Sequence, residues 1–219
     1  MNLDNVKAIF LDYTGTMIRE DDEYSKALLK IFVTSSDLKK PQDALATVWG
    51  LVKKCDSEYY MDTLVKKDEM VDRILDYCVK NYNLTADLNE CHDIWRKAWV
   101  YAPAFDDVKA FFDKYADKIY IVTNDDYCYV EESCKLKGLK PAGIISADQV
   151  RACKPHVEIL QEAVRVAGVE PGEAVLIGDS MTSDVECAKA VGVTPIYLDR
   201  KGRAQVEGLW IANSLLDLI

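Results

Sequence analysis

Histidine is scarce in this chain, whose 219 residues include only His92 and His156. The two do not sit in a ligand-like spacing, which argues against a zinc centre and against chemistry built on a histidine base. Each is expected at the surface or at a helix end. The seven cysteines, at 55, 78, 91, 128, 134, 153 and 187, are odd in number, scattered and free of any C-x-x-C pair. Neither a disulfide framework nor a zinc site is indicated, and reduced thiols are expected. No apolar stretch is long enough to span a bilayer, and no opening segment joins a basic start to an apolar run of signal-peptide length, so a cytoplasmic location away from membranes is the expectation. Positive charge is also short: 27 Lys and Arg face 37 Asp and Glu, a formal net charge of −10. Nonspecific nucleic-acid binding needs a basic face, which this balance argues against. An anionic ligand would need its charge offset locally. Internal repeats and low-complexity segments are absent.

What the chain does have is apolar material, 49% of residues with 10% aromatic, enough for one cored domain plus a sizeable insertion. Its organising stretch is Lys7-Ala8-Ile9-Phe10-Leu11-Asp12-Tyr13-Thr14-Gly15-Thr16. A short apolar run ending in Asp-x-Thr-Gly-Thr predicts a buried parallel strand that delivers a carboxylate to the loop at its C-terminal end. Open α/β sheets keep their chemistry there. A carboxylate so placed can attack phosphorus or carbon, while Gly15 lets the backbone turn beside it and Thr14 and Thr16 supply hydroxyl and amide groups. A strand followed by an ordinary Asx or Ser/Thr turn fits the same residues, so later stretches must decide.

From Met17 to Tyr101 no strand pattern resumes, and that is far too long for a structureless loop. Asp21-Asp22-Glu23 reads as an acidic helix start leading into the amphipathic face Ala27-Leu28-Leu29 and Ile31-Phe32. Pro41 opens a second helix through Val48-Trp49. Apolar positions from Ser57 to about Tyr82 recur at three and four, as one helix or two in succession would require, and a last helix spans Asp87 to Tyr101. Residues 17–101 thus read as a helical bundle inserted into a core made of residues 1–16 and 102–219. Its aromatic and cysteine positions are expected to be packing.

Strand patterns return at Lys118–Val122, Gly143–Ile145, Ala174–Gly178 and Thr194–Leu198, with a short edge strand at Leu209–Ala212 and a helical turn from Ser214. Helices are expected at Val108–Tyr115, from Val130 to a Gly138 cap, from Pro155 at a first helical position to Gly168, and ending near Gly192. Strands alternating with helices predict a doubly wound, Rossmann-like parallel α/β sheet. Its strand ends present Asp12 with Thr14, Thr123 with Asn124, and Asp179 with Asp184, and Lys154 lies in the loop before a helix.

This set, in this order, resembles the haloacid dehalogenase-like hydrolase superfamily across essentially the whole chain. The resemblance implies that Asp12 is the nucleophile, that Thr123 and Lys154 hold a phosphate with Asn124 beside them, and that the Gly178-Asp179-Ser180-Met181-Thr182-Ser183-Asp184 motif holds Mg2+ together with Asp12 and the Thr14 carbonyl. The insertion resembles the family's C1-type helical cap, and the implied partner is a small phosphorylated substrate. The physical reason is charge: a phosphate dianion and a carboxylate repel, so a hard cation with oxygen ligands must bridge them. Asp125 and Asp126 are expected to cap the following helix, and Cys153 to pack.

The chain departs from the pattern at Thr14, where most family phosphatases carry an Asp that protonates the leaving oxygen. A threonine hydroxyl is too weak an acid for that at neutral pH. Alkyl phosphates are therefore expected to be slow, and acyl or aryl phosphates favoured. Three other classes remain: a metal-free dehalogenase, against which Asp179 and Asp184 weigh; a phosphonatase, which needs a Schiff-base lysine in the cap, where Lys53 and Lys54 read as a solvated face; and a phosphoryl-binding protein that has lost turnover.

Overall fold

The computed structural model describes residues 3–58, 60–204 and 206–219. Its sheet is built from β1 (Ala8–Leu11), β2 (Ile119–Thr123), β3 (Gly143–Ser146), β4 (Ala174–Gly178), β5 (Thr194–Leu198) and β6 (Trp210–Ala212). The spatial order is β3-β2-β1-β4-β5-β6, and every pairing is parallel. Parallel strands need crossovers that cover both faces, which is why β1 reads as an unbroken apolar run and is buried at all four positions. Side chains alternate across the sheet: Ile9, Leu11, Ile121 and Ile177 enter one core, and Ala8, Phe10, Val122 and Leu176 the other. This is the doubly wound fold expected from the sequence, with its switch point between β1 and β4, where strand order reverses.

The segment between β1 and β2 contributes α1 (Glu23–Ser35), α2 (Pro41–Glu58), α3 (Lys67–Tyr82) and α4 (Leu88–Tyr101). Asp22 caps α1 by accepting from Tyr24 N at 2.7 Å and Ser25 N at 3.2 Å, and Asp87 caps α4 in the same way. The four helices bury Leu28, Phe32, Val71, Ile74, Trp95 and Trp99 in a third cluster of their own. Met17, Ile18 and Ala102, where the chain leaves and re-enters, pack in the sheet's core.

Two expectations need correction. The periodicity from Ser57 does not begin a helix there: α2 runs on to Glu58, and α3 starts only at Lys67. The chain between them crosses to the sheet domain, where Tyr60 forms an antiparallel bridge with Ala152 and Met61 N donates to Arg151 O at 2.8 Å. Pro155 is likewise not at a first helical position. After α5 (Val108–Tyr115), α6 (Tyr127–Leu136) and α7 (Ala147–Val150), α8 (Val157–Ala167) begins two residues beyond it, with His156 as its cap residue. A final α9 (Cys187–Val191) precedes β5, and Ser214 starts the terminal turn.

One buried ion pair ties the loop after β5 to the start of α5. Arg200 donates to both oxygens of Asp107 at 2.9 and 3.1 Å and to Thr16 O at 2.7 Å, while Ser214 Oγ and Leu215 N also donate to Asp107. Burial alone would raise the Asp107 carboxyl, but Arg200 and these donors hold it below its ordinary value. Removing one partner of such a pair strands the other in the interior. Asp107→Ala is expected to cost about 3–5 kcal/mol in urea-induced unfolding, against about 1 kcal/mol or less for an exposed pair such as Lys54–Glu58.

Candidate active site

Asp12 is the first residue past β1, and its amide donates to Ile177 O of β4 at 2.9 Å, so the carboxylate stands at the switch point. Asp179 follows β4 directly. Asp184 comes from the single π-helical turn Met181–Glu186, which Ser180 starts by accepting from Ser183 N at 3.1 Å. Two glycines make this crowding possible. Gly15 has φ +83°, and a Cβ there would lie 2.5 Å from an Asp179 carboxylate oxygen; at Gly178 a Cβ would lie 2.2 Å from the Asp184 carboxyl carbon. As a result Asp12, Asp179 and Asp184 each offer an oxygen within 4.8 Å of the others. Lys154 Nζ donates to Asp12 Oδ1 at 2.6 Å and to Asp184 Oδ1 at 2.7 Å, and only 2% of Lys154 is exposed.

The electrostatics are those of an undercharged cluster. Burial would lower the Lys154 ammonium, but the Asp12 and Asp184 carboxylates more than offset it and hold the pKa above its usual range. Burial, then the Asp12 carboxylate, push the Asp179 carboxyl well above its ordinary value. Burial also raises Asp184, with the neighbouring Lys154 restraining the rise. One ammonium does not neutralise three carboxylates. The donor set is all oxygen, with no imidazole or thiol in the cluster, and suits a hard divalent cation such as Mg2+.

The other residues singled out in the sequence are close by, though not always aimed as expected. Thr14 Oγ1 donates to Asp125 Oδ2 at 2.8 Å, and Thr123 Oγ1 to the same oxygen at 3.2 Å while accepting from Asp125 N. Asn124 braces Lys154, its Oδ1 accepting from Lys154 N at 2.7 Å and its Nδ2 donating to Lys154 O at 3.1 Å. Asp126 occupies the N-cap position of α6 but its side chain makes no cap bond there, and Asp125 lies one residue further out. Asp125 is buried against the two threonines, and Asp126 accepts from Lys67 N of α3 at 3.1 Å. Cys153 is buried and packs with the sheet's second core, as expected. His156 stacks on Tyr60 at 4.4 Å between ring centroids.

A cavity of about 510 Å3 opens over Asp12, Lys154 and Asp179, and helices α2–α4 supply its other wall. Several of its residues escaped the sequence reading. Asp56 of α2 accepts from Lys67 Nζ at 2.8 Å and from Asn124 Nδ2 at 3.2 Å, joining the inserted helices to the strand-end loops. Lys67 is 5% exposed, and Asp56 and Asp125 hold its ammonium above its ordinary value against the opposing effect of burial. A signal existed: Lys67 falls in register with Met70, Val71, Ile74 and Cys78 on the apolar face of α3. Asp56 carried no such signal. Lys53 also lines the cavity, whereas Lys54 stays on the exposed side, pairing with Glu58 at 3.9 Å. Solvent reaches Glu20, yet its carboxyl is crowded enough that desolvation, followed by the Asp12 charge, pushes its pKa up to about 7.

Fold and site together define a doubly wound α/β protein whose carboxylates Asp12, Asp179 and Asp184 gather at the sheet's switch point. The chain belongs to the haloacid dehalogenase-like hydrolase family, whose profile matches residues 6–192. Over 210 residues it is 25% identical to PpaX of Clostridium perfringens, provisionally named a pyrophosphatase, covering 91% of this chain and 90% of that one. The magnesium-bound structure of YfnB from Bacillus subtilis, provisionally a HAD-hydrolase, superposes with a TM-score of 0.78 at 17% identity, covering 98% and 97% of the two chains. L-2-haloacid dehalogenase from Xanthobacter autotrophicus does so with a TM-score of 0.74, also at 17% identity, covering 97% and 96%. No helix of the described residues is long and apolar enough to cross a membrane.

The raised carboxyls set a sign for pH and metal. Groups whose folded pKa lies above the unfolded value weaken the fold as pH rises and they ionise. A bound cation relieves that repulsion but competes with protons at low pH. Millimolar Mg2+ is therefore expected to raise the melting temperature over an EDTA-treated sample by several degrees at pH 8 and by much less at pH 5.5. Asp179→Asn should lose most of the pH 8 effect in the same thermal scans.

Proposed function

We propose that this hydrolase is a Mg2+-dependent phosphohydrolase acting on a small phosphorylated substrate. The observation that supports it most is the meeting of Asp12, Asp179 and Asp184 around Lys154, a site with both a nucleophile and the means to tolerate a phosphate beside it. When bound, Mg2+ would be held by Asp12, Asp179, Asp184 and the Thr14 carbonyl, and would supply charge neutralisation between phosphate and carboxylate. Lys154 engages Asp12 Oδ1, which leaves Oδ2 to attack phosphorus. The P–O bond to the leaving group breaks as an aspartyl phosphate forms on Asp12, and water then attacks that mixed anhydride, releasing inorganic phosphate and restoring the Asp12 carboxylate. Thr123, Asn124 and Lys154 are the proposed phosphate contacts; Thr123 would exchange its bond to Asp125 for one to a phosphate oxygen. Residues 17–101 act in this reading as a C1-type cap that closes over the site and excludes bulk water.

Among the alternatives, a Schiff-base route needs an uncharged cap amine. Lys67 is the buried cap lysine at the site, and Asp56 and Asp125 keep it as an ammonium. A metal-free dehalogenase would have no use for the crowding that Gly15 and Gly178 accommodate around Asp179 and Asp184.

Phosphate release from acetyl phosphate and p-nitrophenyl phosphate should require Mg2+ and vanish in Asp12→Asn; release that persists in that variant would sink the proposal. The Thr14 hydroxyl is bonded to Asp125, which reinforces its unsuitability as an acid. An aspartate at this position would confront Asp125, so the informative variant is Thr14→Asp with Asp125→Asn. It is expected to raise kcat on glycerol phosphate by at least about tenfold, within the range general acid catalysis supplies, with little gain on acetyl phosphate. An unchanged or lower kcat in folded protein would count against the leaving-group argument.

A further inference from the structure

A second cavity, of about 120 Å3, lies inside the helical insertion and adjoins the first. The two share Thr14, Glu20, Trp49, Trp95 and Trp99 as walls, so the annex opens beside the loop that carries Asp12. Away from that junction its walls are Leu28, Leu29, Phe32, Ala44, Val48 and Ala98, from three of the four helices. The polar groups at its edge are already engaged. Asp22 accepts from Tyr24 N, Ser25 N and Ser25 Oγ at 2.7, 3.2 and 2.6 Å. Arg19 lies 4.7 Å from the Phe105 ring centroid and 3.6 Å from Asp106. Nothing in the annex beyond Glu20 at the junction calls for a polar ligand.

We infer that the substrate is a phosphate ester whose organic part carries an aromatic group of about phenyl size, seated in this annex while its phosphate reaches Asp12. The inference rests on the phosphohydrolase reading and names its substrate class. Size fits the assignment, because an engineered apolar cavity of about 150 Å3 takes up benzene. Indole rings at the junction give an aromatic ring offset or edge-on contact beyond the area it buries, whereas a sugar would leave its hydroxyls unpaired against the apolar walls deeper in the annex. Thr14 supports those members of the class in which the ring itself carries the bridging oxygen. An aryl leaving group departs with little help from a proton, so a site without an acid at that position is matched to it.

The test uses the full chain with Mg2+ and compares 2-phenylethylphosphonate with methylphosphonate, neither of which can be hydrolysed at its P–C bond by attack from Asp12 with an alkyl leaving group. Affinities are read by quenching of tryptophan fluorescence and by inhibition of acetyl phosphate hydrolysis. The phenylethyl compound is expected to bind at least about tenfold more tightly, as burial of a phenyl group would give. That ratio should fall below about twofold in Ala98→Phe, which fills the annex, and in Leu45→Glu, which sets a charge at its rim from a position 50% exposed. Equal affinities in the wild-type protein, or a ratio that survives in whichever variant folds, would overturn the inference. Acetyl phosphate, which has no ring to seat in the annex, separates the two readings. If it is hydrolysed without any aryl preference, the annex assignment alone fails. An aryl preference in protein that releases no phosphate from it refutes the hydrolytic reading and keeps the annex.

Discussion

Lys154 Nζ sits 2.6 Å from one aspartate and 2.7 Å from another, and much of the surrounding structure follows from keeping a single cation in that position. An ammonium that deep is tolerable only with carboxylates in contact, and carboxylates that close to one another are tolerable only with the ammonium. The sheet supplies the convergence: β1 and β4 are neighbours, so the residues that follow them meet without either strand bending. The π-helical turn then brings Asp184 back over Gly178, where a side chain would block it. Each device places negative charge where solvent cannot screen it, and together they leave the cluster short of positive charge.

The inserted helices add an ion pair of their own on the other side of the cavity. Lys67 enters from α3 with Asp56 beside it, and Asp126 receives the Lys67 backbone amide. The insertion therefore brings charge as well as an apolar roof. Its tryptophans serve two purposes, since Trp95 and Trp99 close the bundle's own core and also face the cavities. A surface shared in this way ties the shape available to a ligand to the packing that keeps the bundle folded.

Much of this was legible in the sequence for reasons that are local. The β1 run is followed directly by Asp12 and the β4 run by Asp179, so strand patterning alone put both at strand ends, with Asp184 in the turn just beyond. Parallel topology followed from the alternation of strand and helix patterns. What could not be read depends on long-range pairing. Asp125 looks like a helix cap until the fold sets Thr14 beside it, from 111 residues away in the chain. Asp56 looks like any exposed acid until α2 ends against the strand-end loops. Pro155 carries the local signature of a helix start, and the loop that holds Lys154 needs two more residues before α8 can begin.

Asn124 has one side-chain oxygen on the Lys154 amide and one nitrogen shared between the Lys154 carbonyl and Asp56 of α2. It thus works as an interlock between the two parts of the molecule. Any swing of the insertion that draws Asp56 away removes an acceptor from the same amide that steadies the lysine loop, so an open and a closed protein would differ in how firmly their central cation is held. Substrate that helps the helices settle would in the same movement stiffen the charge it is about to meet.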